Sequence, residues 1–258
     1  MLSAPSEHLG VARVPDGAKP SDCGTVAYIP ARLASERVPR KNLRLLGDYP
    51  LISYVSKAAL RASSIDRVYV NTESSEIAAV AKTIGVEVYW RAARLAAGPV
   101  TTDEILYDFA KAIDCRTLVV INPTAPFLKP ETIDRVLSRF RNSPSDTTLF
   151  TTTVLRKHFV MGGQPCNFSF CARSPRTQDL TALEYINFIM LVVPRAKAIT
   201  QYERSGYCVY VPPLAFFPMS GIECLDIDEE DDFVLAETIN ALNKSECAEG
   251  QSRPTTRS

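Results

Sequence analysis

The chain has 258 residues, of which 46% are hydrophobic and 22% charged, a composition that buries a full core and excludes a disordered or fibrous chain. Its 29 Lys and Arg balance 29 Asp and Glu, so no overall field attracts nucleic acid or a membrane surface, and any anion must be held by a local cluster. Only two histidines, His8 and His158, stand in the sequence, which argues against a His-rich metal centre and against a Ser-His-Asp triad.

Seven cysteines, at 23, 115, 166, 171, 208, 224 and 247, are odd in number and lack zinc-ribbon or C-x-x-C spacing. They read as free thiols of a reducing, cytoplasmic compartment, with Cys166 and Cys171 as packing residues. Residues 1–22 are rich in Pro, Gly, Ser and charge without an apolar segment, so they are expected to be a flexible extension, neither signal peptide nor membrane span. Residues 245–258 are similarly polar and are expected to be a flexible tail, leaving one domain over 23–244.

In chain order, TVAYIP at 25–30 is a short apolar run of β-formers, followed by a polar basic loop. Pro50 opens a helix with Leu51, Tyr54, Val55, Ala58 and Ala59 on one face, Pro being suited to a first turn. RVYVNT at 67–72 is a second strand; Ser74 or Ser75 caps the next helix and Gly85 ends it. A strand over 86–90, a helix over 101–113, a buried-type strand over 117–122, a helix from Pro130 to about Phe140 and a strand over 147–154 follow. This alternation predicts an α/β fold with a mainly parallel sheet and covering helices. Beyond Val154 the rhythm breaks into a polar stretch over 156–183 that looks like an insertion, after which strands are expected over 187–193, 207–211 and 223–227, then a last helix over 230–243.

The loop at 29–43 reads IPARLASERVPRKNL and gathers Arg32, Arg37, Arg40 and Lys41 behind a strand. Ligands in open α/β sheets bind at the carboxyl ends of strands, and guanidinium and ammonium groups match phosphate oxygens. The loop lacks the glycines and G-K-[ST] ending of a Walker A motif, and on composition alone a solvated surface loop is an equal reading. Asp226 and Asp228 flank Ile227, so both carboxylates point to one face of an extended chain. Two hard oxygen donors without a nearby histidine suit Mg²⁺, which keeps substrate phosphates among its ligands. The acidic run 228–232 also reads as a helix start favoured by the macrodipole, which leaves the Leu225-x-Ile227 alternation unexplained.

Residues 29–43 closely resemble the N-terminal signature of the acylneuraminate cytidylyltransferase family (the CMP–sialic acid synthetases and their relatives), usually IPAR-x-G-S-K-x-x-P-x-K-N. NPTAPFLKPETID at 122–134 resembles the family's QPTSPLR-type segment, and LDIDEEDDFVLAE at 225–237 its DIDT-x-x-D segment. PRTQDL at 175–180, with Asn187 after it, looks like the sugar-recognition and dimer-forming region, in an insertion at about 156–190. The resemblance spans about residues 25–240. It implies a Rossmann-like sheet of the nucleotide-diphospho-sugar transferase type, helices on both faces, and transfer of CMP from CTP to the hydroxyl of an acidic sugar. N-acylneuraminate is the first choice of acceptor, with Mg²⁺ as cofactor, pyrophosphate as product and a homodimer as the assembly.

Carried over position by position, the resemblance implies that Arg32, Ser35 and Lys41 contact the triphosphate, Asn42 holds the cytidine and Arg91 is a second nucleotide contact. Asn122, where many members have Gln, helps to select the sugar or nucleotide; Arg176, Gln178 and Asn187 face the acidic sugar. Asp226 and Asp228 carry the metal. Catalysis falls to Arg32 and Lys41, which neutralise developing charge, and to Asp228, which receives the hydroxyl proton.

The sequence departs from the family's pattern in three places. Glu36 stands where Lys is usual, so Arg37 is expected to supply that charge while Glu36 points outward. Phe188 follows Asn187 where glycine is usual, and Tyr185 replaces a frequent Arg, which implies a reshaped sugar pocket. LAAGPVTTD at 95–103 lacks the usual Ser-Asp-Thr. Other acids (3-deoxy-manno-octulosonate, legionaminate, pseudaminate), a nucleotide-binding relative of weakened turnover, and a plain interaction protein are the competing readings.

Overall fold

Strand β1 (Thr25–Pro30) lies in the interior of the sheet, and both of its faces are apolar. In the computed structural model, which describes residues 24–96 and 99–251, with side chains to Lys244, successive side chains of β1 alternate between two cores. Ala27 and Ile29 join the core that packs α1 (Ile52–Arg61), and Val26 and Tyr28 join the other. Strand β2 (Arg67–Thr72), helix α2 (Ser75–Ile84) and strand β3 (Glu87–Trp90) follow, with Ser74 accepting the Ile77 N–H at 3.3 Å and Gly85 closing the helix at φ 89°.

Helix α3 (Thr102–Ala112) covers the opposite face, where Phe109 lies 4.5 Å from the Tyr28 ring centroid. Strand β4 (Thr117–Ile121), helix α4 (Pro130–Arg141), strand β5 (Thr148–Leu155), strand β6 (Leu183–Pro194), helix α5 (Arg195–Ser205), strand β7 (Leu214–Met219) and helix α6 (Glu230–Gln251) complete the order. The seven strands run β7–β5–β6–β4–β1–β2–β3. β6 is antiparallel to both neighbours; the other pairings are parallel. Helices α1, α2 and α4 bury Val55, Ile77 and Ile133 on one face, while α3 and α5 bury Phe109 and Ala198 on the other. The fold is therefore the expected mainly parallel α/β sheet with helices on both faces.

Local expectations fail in several places. Pro50 belongs to a two-residue ladder with Leu45, and α1 starts at Ile52. Helix α5 was not expected, because Ala198 is its one buried residue and its sequence RAKAITQYERS carries little apolar stripe. Residues 207–211 form no strand: the Cys208 and Val209 N–H groups donate to Asp103 Oδ1 at 2.6 and 2.8 Å, fastening this loop to α3. The strand is β7, an edge position that tolerates Pro218. Residues 223–227 likewise form no strand; a 3₁₀ turn over Gly221–Cys224 leads into irregular chain.

Strand β6 begins inside the expected insertion, at Leu183, and its register against β5 shifts between Ile186 and Leu191. Between β5 and β6, a short hairpin pairs Val160 with Pro165, and Asn167 braces it by donating to the carbonyls of Lys157 (2.8 Å) and Thr181 (2.7 Å). Cys166 and Cys171 are exposed rather than packed, since they lie in this polar stretch away from both cores. The last helix continues to Gln251, past the expected end at Asn243. The expected extension at 1–22 lies outside the described residues. Among the described residues no helix is long and apolar enough to cross a membrane.

Helix α3 starts on a capping box: Thr101 Oγ1 accepts the Glu104 N–H at 3.2 Å, and Glu104 accepts the Thr101 N–H at 2.8 Å. Thr101→Ala is expected to lower stability by about 1 kcal/mol in urea unfolding. The Thr101 backbone and hydroxyl bonds hold the Glu104 carboxyl below its usual range. Its stabilisation is present above the unfolded-state pKa and is lost as pH falls through the folded one, so the mutational penalty shrinks in acid.

Candidate active site

The basic loop is held against the sheet by side chains within and beside it. Glu73, just past β2, accepts the Leu33 N–H at 2.7 Å. Asn42, buried, donates to the Arg32 carbonyl at 2.9 Å. Val38 is buried in a small core with Leu46, Leu51, Phe233 and Ile227. Through Val38 and Ile227, the loop after β1 is packed directly against the segment that carries the two aspartates. That segment is fixed in turn to the end of β4, since the Ile227 N–H donates to the Thr124 carbonyl at 2.9 Å.

Lys41 donates to the Ile227 carbonyl and lies 3.3 Å from Asp228 Oδ1. Arg37 reaches the same Oδ1 at 2.7 Å and Glu229 at 3.1 Å. Arg32 lies 3.6 Å from Glu36, whose side chain is 87% exposed. Glu36 is solvent-exposed yet borders the same cleft as the loop cations, and Arg37 is turned to the acids. Arg40 faces elsewhere: at φ 54° it pairs with Glu76 of α2.

A cleft of about 480 Å³ gathers Arg32, Ser35, Arg37, Lys41 and Asn42 from the loop, Asn122 and Thr124 from the end of β4, Phe188 of β6, and Asp228. Seven residues proposed from sequence therefore share one wall-to-wall space. The others are placed differently. Arg91 is buried, donating twice to Asn71, and does not line this cleft; burial lowers its pKa. Asn187 is buried and hydrogen-bonds Thr151 and Thr153 of β5, which makes it a brace of β6. Arg176 lies on the exposed insertion, bonded to Asp179 at 2.6 Å, with Gln178 exposed beside it. Neither reaches the cleft, because the chain between β5 and β6 carries them away from it.

Asp226 stands behind the cleft. Asn122 donates to its Oδ2 at 3.1 Å and Thr124 donates to its Oδ1. Burial raises its pKa against the opposing Thr124 hydrogen bond, and the nearby Asp228 charge adds to the rise. A buried carboxyl whose pKa is raised by a neighbouring carboxylate is a place where a divalent cation is stabilising. The pair flanking Ile227 therefore fits Mg²⁺ in chemistry, with phosphate oxygens needed to complete its shell. Among the described residues no group of three His, Cys, Asp or Glu stands ready as a self-sufficient metal cage.

Thr124 and Glu73 were not anticipated from sequence, whereas Thr102, with Thr101, stands in the segment where the family's Ser-Asp-Thr is usual. Thr124 has a legible signal, two residues beyond Asn122, whose Oδ1 accepts the Thr124 N–H at 3.2 Å in a local side-chain turn. Thr102 lines the cleft from the first turn of α3. The acidic run beyond Asp228 is a helix start: Asp232 Oδ2 accepts the Asp228 and Glu229 N–H groups at 2.9 and 2.8 Å.

The sequence profile of the cytidylyltransferases matches residues 26–168. CMP-N,N'-diacetyllegionaminic acid synthase of Legionella pneumophila is 30% identical over 230 residues, covering 85% of this chain and 97% of the relative. N-acylneuraminate cytidylyltransferase of Oncorhynchus mykiss is 29% identical over 82% of this chain, which spans 49% of that longer protein. The fold superposes on a CMP:2-keto-3-deoxy-manno-octonic acid synthetase solved with CTP, at a TM-score of 0.64 and 15% identity, covering 86% of this chain and 99% of that one. On the profile and on the near full-length identity, the chain belongs to the cytidylyltransferase family and is a nucleotidyltransferase.

Proposed function

We propose that this chain transfers CMP from CTP to the hydroxyl of an acidic nonulosonic-type sugar, releasing pyrophosphate with the aid of Mg²⁺. The observation that carries the reading is the single cleft in which Arg32, Arg37 and Lys41 face Asp228. The acceptor oxygen forms a bond to the α-phosphorus while the bond from that phosphorus to the bridging oxygen breaks, and pyrophosphate takes the electron pair. Lys41 and Arg32 stabilise the charge gathered on the triphosphate, and Arg37 moves between its acidic partners and the phosphates. Asp228 lines the cleft and receives the hydroxyl proton. Asp226 and Asp228 would hold the Mg²⁺, which supplies Lewis-acid neutralisation of phosphate oxygens. Asn42 Oδ1, buried at the cleft without a protein donor, suits a donor of the cytidine.

The acceptor is read as N-acylneuraminate or a related acid, on the names of the relatives and the resemblance of the sugar segment. The same reading makes the chain a cytoplasmic homodimer joined through the insertion, where Met161 and Phe170 are exposed. Saturating CTP at about a hundredfold over its Kd is expected to raise the melting temperature by roughly 5–10 °C when Mg²⁺ is present, with a smaller rise without it. Equal shifts with all four nucleoside triphosphates, or none with any, would sink the reading.

A further inference from the structure

Among the described residues four non-glycines have positive φ, and only Phe188 does so inside a strand, at 53°. An aromatic residue is strained in this left-handed region, and such strain persists where surrounding structure imposes it. Here Asn187 imposes it. Its Oδ1 accepts the Ile189 N–H at 3.1 Å, spanning Phe188, and the Thr151 hydroxyl at 2.7 Å; its Nδ2 donates to Thr153 at 3.0 Å. The ring is fixed as well, edge-on to Phe150 at 5.7 Å and to Tyr210 at 5.9 Å. A rigid aromatic surface is thereby presented to a cleft that also holds Arg32, Lys41 and Asp228.

Its position decides what meets it. The Asn122 N–H donates to the Ile189 carbonyl at 3.0 Å, so Phe188 stands beside the end of β4, on the β6 side. The basic loop leaves β1 toward the β2 side, where Glu73 holds it. A triphosphate lying along Arg32 and Lys41 leaves the β6 side to the acceptor. We propose that Phe188 is a specificity-determining residue that selects acids whose exocyclic chain presents a methyl or N-acyl group to its ring, against acids, N-acetylneuraminate among them, whose exocyclic chain presents hydroxyls there. A hydroxyl pressed on the ring loses its water partners without replacement, whereas a methyl gains contact. This rests on the reading of the chain as a CMP transferase to an acidic sugar.

The test is pyrophosphate release by the full chain with CTP, Mg²⁺ and each of three acids: N,N'-diacetyllegionaminate, N-acetylneuraminate and 3-deoxy-manno-octulosonate. The unmodified enzyme is expected to favour the diacetylated deoxy acid over N-acetylneuraminate by about tenfold or more in kcat/KM. Phe188→Gly and Phe188→Asn both tolerate the left-handed backbone, and each is expected to compress that ratio to under about threefold with the KM for CTP held within about twofold. If the glycine variant fails to fold, judged by loss of the CTP-induced thermal shift, the asparagine variant decides. Turnover with no acid overturns the functional reading and this inference with it. Turnover with an acid but an unchanged ratio in the variants, or a preference of the unmodified enzyme for the hydroxylated acids, overturns the role of Phe188 alone. A raised KM for CTP with unchanged acid preference makes the ring a nucleotide wall and overturns it too.

Discussion

Replacing Lys41 by Met is expected to lower kcat/KM for CTP by about 10²–10³-fold, the cost of removing one fixed cation from developing charge. The size follows from position. The Lys41 side chain is 12% exposed and is oriented by the Ile227 carbonyl and Asp228, so its charge acts in a partly dry cleft where attraction is stronger than in water. Met keeps the apolar stem and removes only the ammonium. The contrast is Arg40→Ala, where the guanidinium pairs with Glu76 on the exposed surface, and where a change of under about threefold is expected. Steady-state pyrophosphate release on both variants checks the pair of expectations, and equal losses would remove the argument from position.

Asp228→Asn is expected to lower kcat by about 10²–10⁴-fold, the range for loss of a positioned proton acceptor. The fold should hardly notice, because Asp228 is itself 44% exposed and its shortest ion pair is to Arg37, which is 55% exposed, and exposed pairs contribute little to stability. A melting temperature within about 3 °C of the unmodified protein, with collapsed turnover, is the expected combination. Near-normal turnover would remove Asp228 from the chemistry.

How much of this was legible beforehand depends on whether a signal was local. Strand β2 (Arg67–Thr72) and helix α2 (Ser75–Ile84), between Ser74 and Gly85, were read from apolar runs and caps that act within a few residues. Helix α5 was invisible because one buried alanine sets no period, and β7 was hidden by its proline and the Pro212-Pro213 pair before it. At the site, the loop cations and Asp228 were named, yet a sequence does not say which way a long side chain turns. Arg40 and Arg91 show this: one pairs outward with Glu76, the other turns inward onto Asn71. The left-handed backbone of Phe188 is set by hydrogen bonds from Asn187 to the neighbouring strand, a contact that exists only once β5 and β6 are paired. Sequence named the ring at this position; the structure adds its fixed orientation.

In the proposed enzyme the loop cations and Asp228 close on one triphosphate. A crystal structure of the protein with CTP and Mg²⁺ tests it most directly. Phosphate oxygens are expected in contact with Lys41 and Arg32, and the metal on Asp228, inside the cleft between β1 and β4. A nucleotide bound elsewhere on the molecule, with Lys41 still paired to Asp228, would contradict it.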